Sequence, residues 1–155
     1  MSNTRKYFLL IFIIIWIIII NIFSSMDYFN TNKISKKITK EVVTTFYNPR
    51  DENELNHIVH DTNLYIRKFA HAFLFFILSL FVLCFFNSVN KALLFKQYIS
   101  TLLICFSLAC FDELHQYFVL GRSSSFVDTL IDLLGSIIGC LIVNLYFSHN
   151  SFKNI

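Results

Sequence analysis

Glycine, proline and charge are all scarce in this chain, which has three glycines and one proline in 155 residues. Charged residues make up 15% of the sequence, against about 25% in an average soluble domain. These scarcities exclude collagen-like, disordered and disulfide-scaffold proteins, and they argue against a soluble domain. The formal net charge of +3 is small and the basic residues form no soluble patch, so we expect no nucleic-acid partner.

Cysteine is present, but not in a pattern that binds metal or forms a disulfide framework. The four cysteines lie in apolar runs without a Cys-x-x-Cys pair, at Cys84, Cys105, Cys110 and Cys140. Such cysteines behave as small buried hydrophobic side chains. We therefore expect no disulfides and no cofactor.

Long apolar runs dominate what remains, and the mean hydropathy is +0.59. Four runs are long enough to span a bilayer, which needs about 17–25 apolar residues: Tyr7–Phe23, Phe69–Phe86, Gln97–Phe118 and Phe126–Phe147. Lipid cannot satisfy open backbone groups, so these runs predict helices. The first run is longer than the core of a signal peptide and ends in a poor cleavage site, so we expect an uncleaved anchor rather than a cleaved signal peptide. The sequence predicts an all-α, polytopic membrane protein with one domain over residues 1–155.

Residues 24–66 form a polar linker with helical periodicity. Ile34, Ile38, Val42 and Phe46 recur every four residues, and most lysines lie off that stripe. Two interpretations stand. The segment is either an amphipathic helix in the headgroup layer or a solvated helix packed on the spans. Pro49 ends it, and Asp51 is expected to cap a second helix that runs toward the second span.

The orientation of the spans depends on which positive charges are counted. Lys91 and Lys96 in the short loop between spans two and three favour a cytoplasmic position for that loop. A literal count of all lysines and arginines favours the reverse. We predict a cytoplasmic N-terminus, with the polar linker outside.

Polar residues in spans two, three and four fall at one depth. They are Lys68, His71, Asp112, Glu113, Gln116, Arg122, Asp128 and Asp132. Alternation of the spans places all of them near one membrane face. An ionisable group facing lipid costs about 2.5–3.5 kcal/mol on insertion scales. We therefore predict that five of them, His71, Asp112, Glu113, Gln116 and Asp132, converge between the second, third and fourth spans.

Simpler roles remain open for each of them. His71 can bridge helices, the two adjacent acids of span three can pair with Lys68 and Arg122, and Asp128 can cap span four. A metal held by His71, Asp112, Glu113 and His115 is not expected, because these residues lack a recognised ligand spacing. Further along span four, Gly135 and Gly139 continue the stripe of Asp128 and Asp132, and predict close helix packing.

Three blocks resemble the VanZ-like family of bacterial membrane proteins. They are Arg67-Lys68-Phe69-Ala70-His71, Asp112-Glu113-Leu114-His115-Gln116 followed by Gly121-Arg122, and Asp128 with Gly135 and Gly139. Asp132 stands where many members have Asn, and Leu120 where a Pro often precedes the Gly-Arg pair. The resemblance implies a multi-pass protein of the bacterial cytoplasmic membrane and an association with glycopeptide resistance, notably to teicoplanin. It implies no molecular activity.

The cluster supports three functional hypotheses. In the first, Lys68 and Arg122 hold an anionic cell-envelope ligand, either a lipid headgroup or a glycopeptide. Asp112, Glu113 and Gln116 then position those cations and His71, while Asp128 and Asp132 complete the polar floor. In the second, the cluster serves a membrane enzyme or a proton-coupled transporter. In the third, it only locks the helices together. The sequence identifies no bond to be broken, which favours binding over catalysis, and it leaves the oligomeric state open.

Overall fold

A computed structural model describes residues 3–25, 28–47, 49, 51–89, 94–119 and 124–152. These residues form five helices: α1 (Asn3–Ser25), α2 (Tyr28–Phe46), α3 (Glu52–Val89), α4 (Leu94–Tyr117) and α5 (Phe126–Phe152). No strand occurs in the described ranges. The predicted all-α fold is confirmed.

Four of the helices are long and apolar enough to cross a membrane. The candidate spans are Thr4–Ser25, Glu52–Val89, Phe95–Tyr117 and Phe126–Leu145. Many large apolar side chains on these helices are not covered by other parts of the protein, as expected for helices whose outer faces meet lipid. The predicted four-span architecture is confirmed.

The third helix is much longer than a bilayer requires. Its 38 residues correspond to about 57 Å at ~1.5 Å per residue, whereas the hydrocarbon core is about 30 Å thick. The Glu54 amide donates to Asp51 Oδ1 at 2.7 Å, so Asp51 caps the helix as the sequence predicts. The polar first half of α3 and the apolar second span belong to this one continuous helix.

The second helix packs antiparallel on this polar half of α3. Thr39 and Val43 of α2 are buried, as are Val59 and Asn63 of α3. Thr39 Oγ1 lies 3.4 Å from Asn63 Oδ1. Near the connection, Tyr47 donates to Glu54 at 3.1 Å, and this bond to the carboxylate raises the pKa of Tyr47. Among the described residues α2 contacts α3 alone, and Ile38, Val42 and Phe46 of the predicted apolar stripe are exposed. Both interpretations of the linker therefore stay open.

The core lies where α3 crosses the other spans. One buried group joins α1, α3 and α4 and contains Ile20, Phe75, Leu78, Val82, Cys105 and Ala109. A second joins α3 and α5 through Leu83, Cys140 and Val143. Cys105 and Cys140 are buried, Cys84 and Cys110 are half-buried, and all four are free thiols. The predicted burial is therefore confirmed for Cys105 and Cys140 and is only partial for Cys84 and Cys110.

Helices α3 and α5 approach each other through the glycine face of α5. A Cβ atom built on Gly135 would overlap the backbone oxygen of Ala72 and lie 2.9 Å from the Ala72 carbonyl carbon. A Cβ on Gly139 would lie 2.6 Å from the Phe76 oxygen. The close packing predicted from the glycine spacing is confirmed, and it fixes how near the polar residues of the two helices come.

Candidate functional site

Three polar side chains from three different helices meet inside the protein. His71 of α3, Asp112 of α4 and Asp132 of α5 each offer a nitrogen or oxygen atom, and these atoms lie within 4.8 Å of one another. The two aspartates are 6% and 3% exposed. We call these residues the inner triad.

A second pair lies one helical turn closer to the membrane face. Lys68 Nζ donates to Asp128 Oδ1 at 2.5 Å, and the two side chains are 40% and 31% exposed. Lys68 precedes His71 by three residues, and Asp128 precedes Asp132 by four. At ~1.5 Å per residue, the pair sits about 5–6 Å above the inner triad. We call Lys68 and Asp128 the mouth pair.

The end of α4 supplies the supporting contacts. Gln116 Nε2 donates to Asp112 Oδ2 at 2.7 Å across one helical turn. Glu113 Oε1 accepts a hydrogen bond from the backbone amide of Ser125. That bond ties the end of α4 to the start of α5.

The start of α5 is capped by Ser125. The Val127 amide donates to Ser125 Oγ at 3.3 Å, and the Asp128 amide donates to the Ser125 carbonyl at 2.8 Å. The alternative in which Asp128 serves only as a cap is therefore wrong, because its carboxylate pairs with Lys68 instead.

The histidine that follows the acids of α4 points away from the cluster. His115 Nε2 lies 3.0 Å from Ser25 Oγ at the end of α1. The set His71, Asp112, Glu113 and His115, weighed from the sequence as metal ligands, is therefore not assembled. The group that is assembled consists of His71, Asp112 and Asp132. A search for ligands spaced along one helix misses such a group, because each helix contributes a single residue.

The inner triad contains two buried acidic side chains with incomplete hydrogen bonding. Asp112 Oδ1 and Asp132 Oδ1 have no hydrogen-bond partner in the described part of the chain. His71 Nδ1 lies 4.0 Å from Asp112 Oδ2. Adjacent buried carboxylates repel each other, so such a pair needs a shared proton or a cation to be stable.

The cluster thus contains seven of the eight residues expected from the sequence. The eighth, Arg122, lies outside the described residues, as does Gly121. The structure unites Lys68, His71, Asp112, Gln116, Asp128 and Asp132, and it places Glu113 at the α4–α5 junction beside them.

A family model described as VanZ/LLP1 matches residues 8–147. The chain belongs to the VanZ/LLP1 family. No curated protein and no solved structure matches it. The VanZ/LLP1 match covers both layers of the cluster and most of all four spans, so the resemblance noted on the sequence blocks is confirmed.

A small cavity lies beside Asp112, on the α1 side of the cluster of this VanZ/LLP1 protein. This cavity of about 30 Å³ is lined by Asp112, Asn21 and apolar side chains of α1, α3 and α4. That volume holds one water molecule and offers it two polar neighbours. The cluster can therefore bind cations and hydrogen-bond donors through its carboxylates, and it presents one lysine at its mouth.

Proposed function

We propose that this VanZ/LLP1 membrane protein binds the polar headgroup of a cell-envelope lipid at the mouth pair, within the bacterial cytoplasmic membrane. The observation that carries the proposal is the half-exposed Lys68–Asp128 pair, which lies at the end of the spans above a buried polar set. A lipid headgroup reaches this depth without leaving its own leaflet.

The chemistry of the pair suits a headgroup with both anionic and donor groups. Lys68 has three N–H donors and Asp128 accepts one of them, so others remain for a phosphate oxygen. Asp128 has a second carboxylate oxygen that can accept from a hydroxyl or amine group. Arg122, which follows α4 in the sequence, would add a planar cation that binds phosphate through two parallel hydrogen bonds.

Thermal stabilisation by lipid tests the proposal. The purified protein is melted in detergent with and without envelope-lipid extract, and separately with teicoplanin. We expect the extract to raise the Tm of the wild type. If teicoplanin stabilises the protein and the extract does not, the ligand is a glycopeptide instead. If neither does, the purely structural role becomes the better hypothesis.

A double variant separates binding from stability. Lys68→Gln/Asp128→Asn removes both charges and retains a hydrogen-bonding pair. Because the pair is partly exposed, its loss should lower stability by no more than about 1 kcal/mol, while the lipid-dependent rise in Tm disappears. The matched control is Lys40→Gln/Glu41→Gln, which removes one charge of each sign from exposed positions on α2 and should leave the lipid response unchanged.

A further inference from the structure

The geometry points to a metal site in the inner triad: we infer that His71, Asp112 and Asp132 bind one divalent transition-metal ion, with Zn²⁺ favoured. The inference does not rest on the lipid proposal, since it concerns the buried layer and is tested without lipid. A cation there would tie α3, α4 and α5 together at a single point.

The donor set is suitable in type and spacing. One imidazole nitrogen and two carboxylate oxygens are common ligands of Zn²⁺, with bonds of about 2.0–2.2 Å. Donors bound to one ion at such distances lie roughly 3–3.5 Å apart. The three donor atoms lie within 4.8 Å of one another. Side-chain rotations that draw them inward by about 1 Å would complete the geometry.

The buried oxygens supply an independent reason for a ligand. Asp112 and Asp132 are more than nine-tenths buried, and each has one carboxylate oxygen without a partner among the described residues. Leaving a buried acceptor unsatisfied is unfavourable, and more so when the acceptor is charged. A divalent cation would satisfy both oxygens and offset the repulsion between the carboxylates.

The surroundings resemble the support that metal ligands receive in other proteins. Gln116 donates to Asp112 Oδ2, and Oδ1 has no partner among the described residues. A hydrogen bond of this kind orients a carboxylate ligand in other metal sites. The small cavity beside Asp112 and Asn21 has room for a water molecule. Zinc with three protein ligands usually takes a water as its fourth ligand, and Asp112 is the triad residue that lines this cavity.

The same features disfavour the alkaline-earth ions. Ca²⁺ takes six to eight oxygen ligands, and Mg²⁺ retains several waters in an octahedral shell. The triad offers two carboxylates and an imidazole, and apolar side chains line much of the adjoining cavity. Imidazole suits Zn²⁺ and its neighbours in the first transition row.

Metal titration of the full-length protein in detergent tests the inference. The affinity tag is removed, bound metal is stripped with a chelator, and Zn²⁺, Mn²⁺, Mg²⁺ and Ca²⁺ are titrated separately by calorimetry. We expect one Zn²⁺ per chain, weaker Mn²⁺ binding, and a higher Tm with Zn²⁺. Co²⁺ gives a second readout that needs no variant. The absorption spectrum of Co²⁺ bound to the wild-type protein distinguishes a site of low coordination number from an octahedral one.

Conservative variants assign the ligands. Asp132→Asn and His71→Asn should each weaken Zn²⁺ binding by more than about 100-fold, because loss of an outer-shell partner alone typically costs 10–100-fold. Gln116→Leu should fall within that 10–100-fold range. The Tm of each metal-free variant shows whether it is folded.

The matched control uses the other histidines near an acid. His57 and His60 are exposed on α3 and lie 3.2 and 3.3 Å from Asp61 oxygens, so they are the obvious place for adventitious Zn²⁺. The variant His57→Asn/His60→Asn should retain the tight site. Loss of binding in this control, or unchanged binding in Asp132→Asn, would overturn the inference.

Two further results would also overturn it. Equal affinity for Mg²⁺ or Ca²⁺ would contradict a transition-metal site. Absence of any stoichiometric binding would mean that the two carboxylates are stabilised by a shared proton. Because no envelope lipid is present in the titration, either failure leaves the lipid-binding proposal standing on its own test.

Discussion

Replacing Gly135 with alanine should separate α3 from α5 and disturb the inner triad. The new Cβ would overlap the Ala72 carbonyl oxygen and lie 2.9 and 3.2 Å from the Ala72 carbonyl carbon and Cα. These are backbone atoms, so no side-chain rotation can relieve the overlap and the helices themselves must move apart.

Two opposing effects set the size of the change. Alanine is a better helix former than glycine by about 1 kcal/mol, whereas overpacking a close contact costs typically 1–3 kcal/mol. Since the obstacle is backbone on a neighbouring helix, we expect the upper part of that range and a net loss of about 1–2 kcal/mol. Asp132 lies three residues before Gly135, about 4.5 Å along the helix, so the same movement draws it away from His71.

Unfolding in mixed micelles of rising SDS content measures the loss. The single tryptophan, Trp16, provides the signal because its indole donates to the Leu74 carbonyl on α3 at 2.8 Å. Leu134→Ala is the control, since Leu134 is exposed and lipid or detergent replaces what it contacts. If Gly135→Ala is as stable as the wild type or more stable, the gain in helix propensity outweighs any steric cost, and the close approach of α3 and α5 is refuted.

Two further predictions concern the connections. With a cytoplasmic N-terminus, an impermeant thiol reagent should label Asn53→Cys in intact cells and should not label Asn90→Cys; the opposite pattern would invert the topology. On α2, Val43→Ser should destabilise the packing on α3 by about 1–3 kcal/mol, because Val43 is 5% exposed, whereas Val42→Ser at 41% exposure should have little effect. Equal effects on the melting of the two variants would show that α2 does not pack as described.

The number of candidate spans could be predicted from the sequence, because length and hydropathy determine it. The partners of each polar residue could not. Glu113 and Asp112 are adjacent in sequence, yet Asp112 joins the inner triad and Glu113 bonds to Ser125. The rotation of α4 about its axis determines which of these two acids faces α3 and α5. Packing along the whole span sets that rotation. A stretch of nearly uniform apolar residues does not specify it.

The linker was ambiguous for a related reason. A stripe of Ile38 and Val42 flanked by lysines indicates an amphipathic helix, but such a pattern does not say what its apolar side meets. In the structure Thr39 and Val43, one residue further along, face α3. The polar half of α3 offers a neighbour that the hydropathy pattern of α2 alone does not reveal.

The charge balance of the cluster connects the two proposals. Four carboxylates, those of Asp112, Glu113, Asp128 and Asp132, face one lysine and one histidine. An anionic headgroup approaching this set meets net repulsion, which a cation in the inner triad or the Arg122 side chain at the mouth would reduce. A divalent ion in the triad would offset two of these negative charges and so weaken the repulsion on a phosphate that approaches Lys68. Linkage then requires the metal and an anionic lipid to strengthen each other's binding, whereas a neutral headgroup would bind equally well with or without the metal.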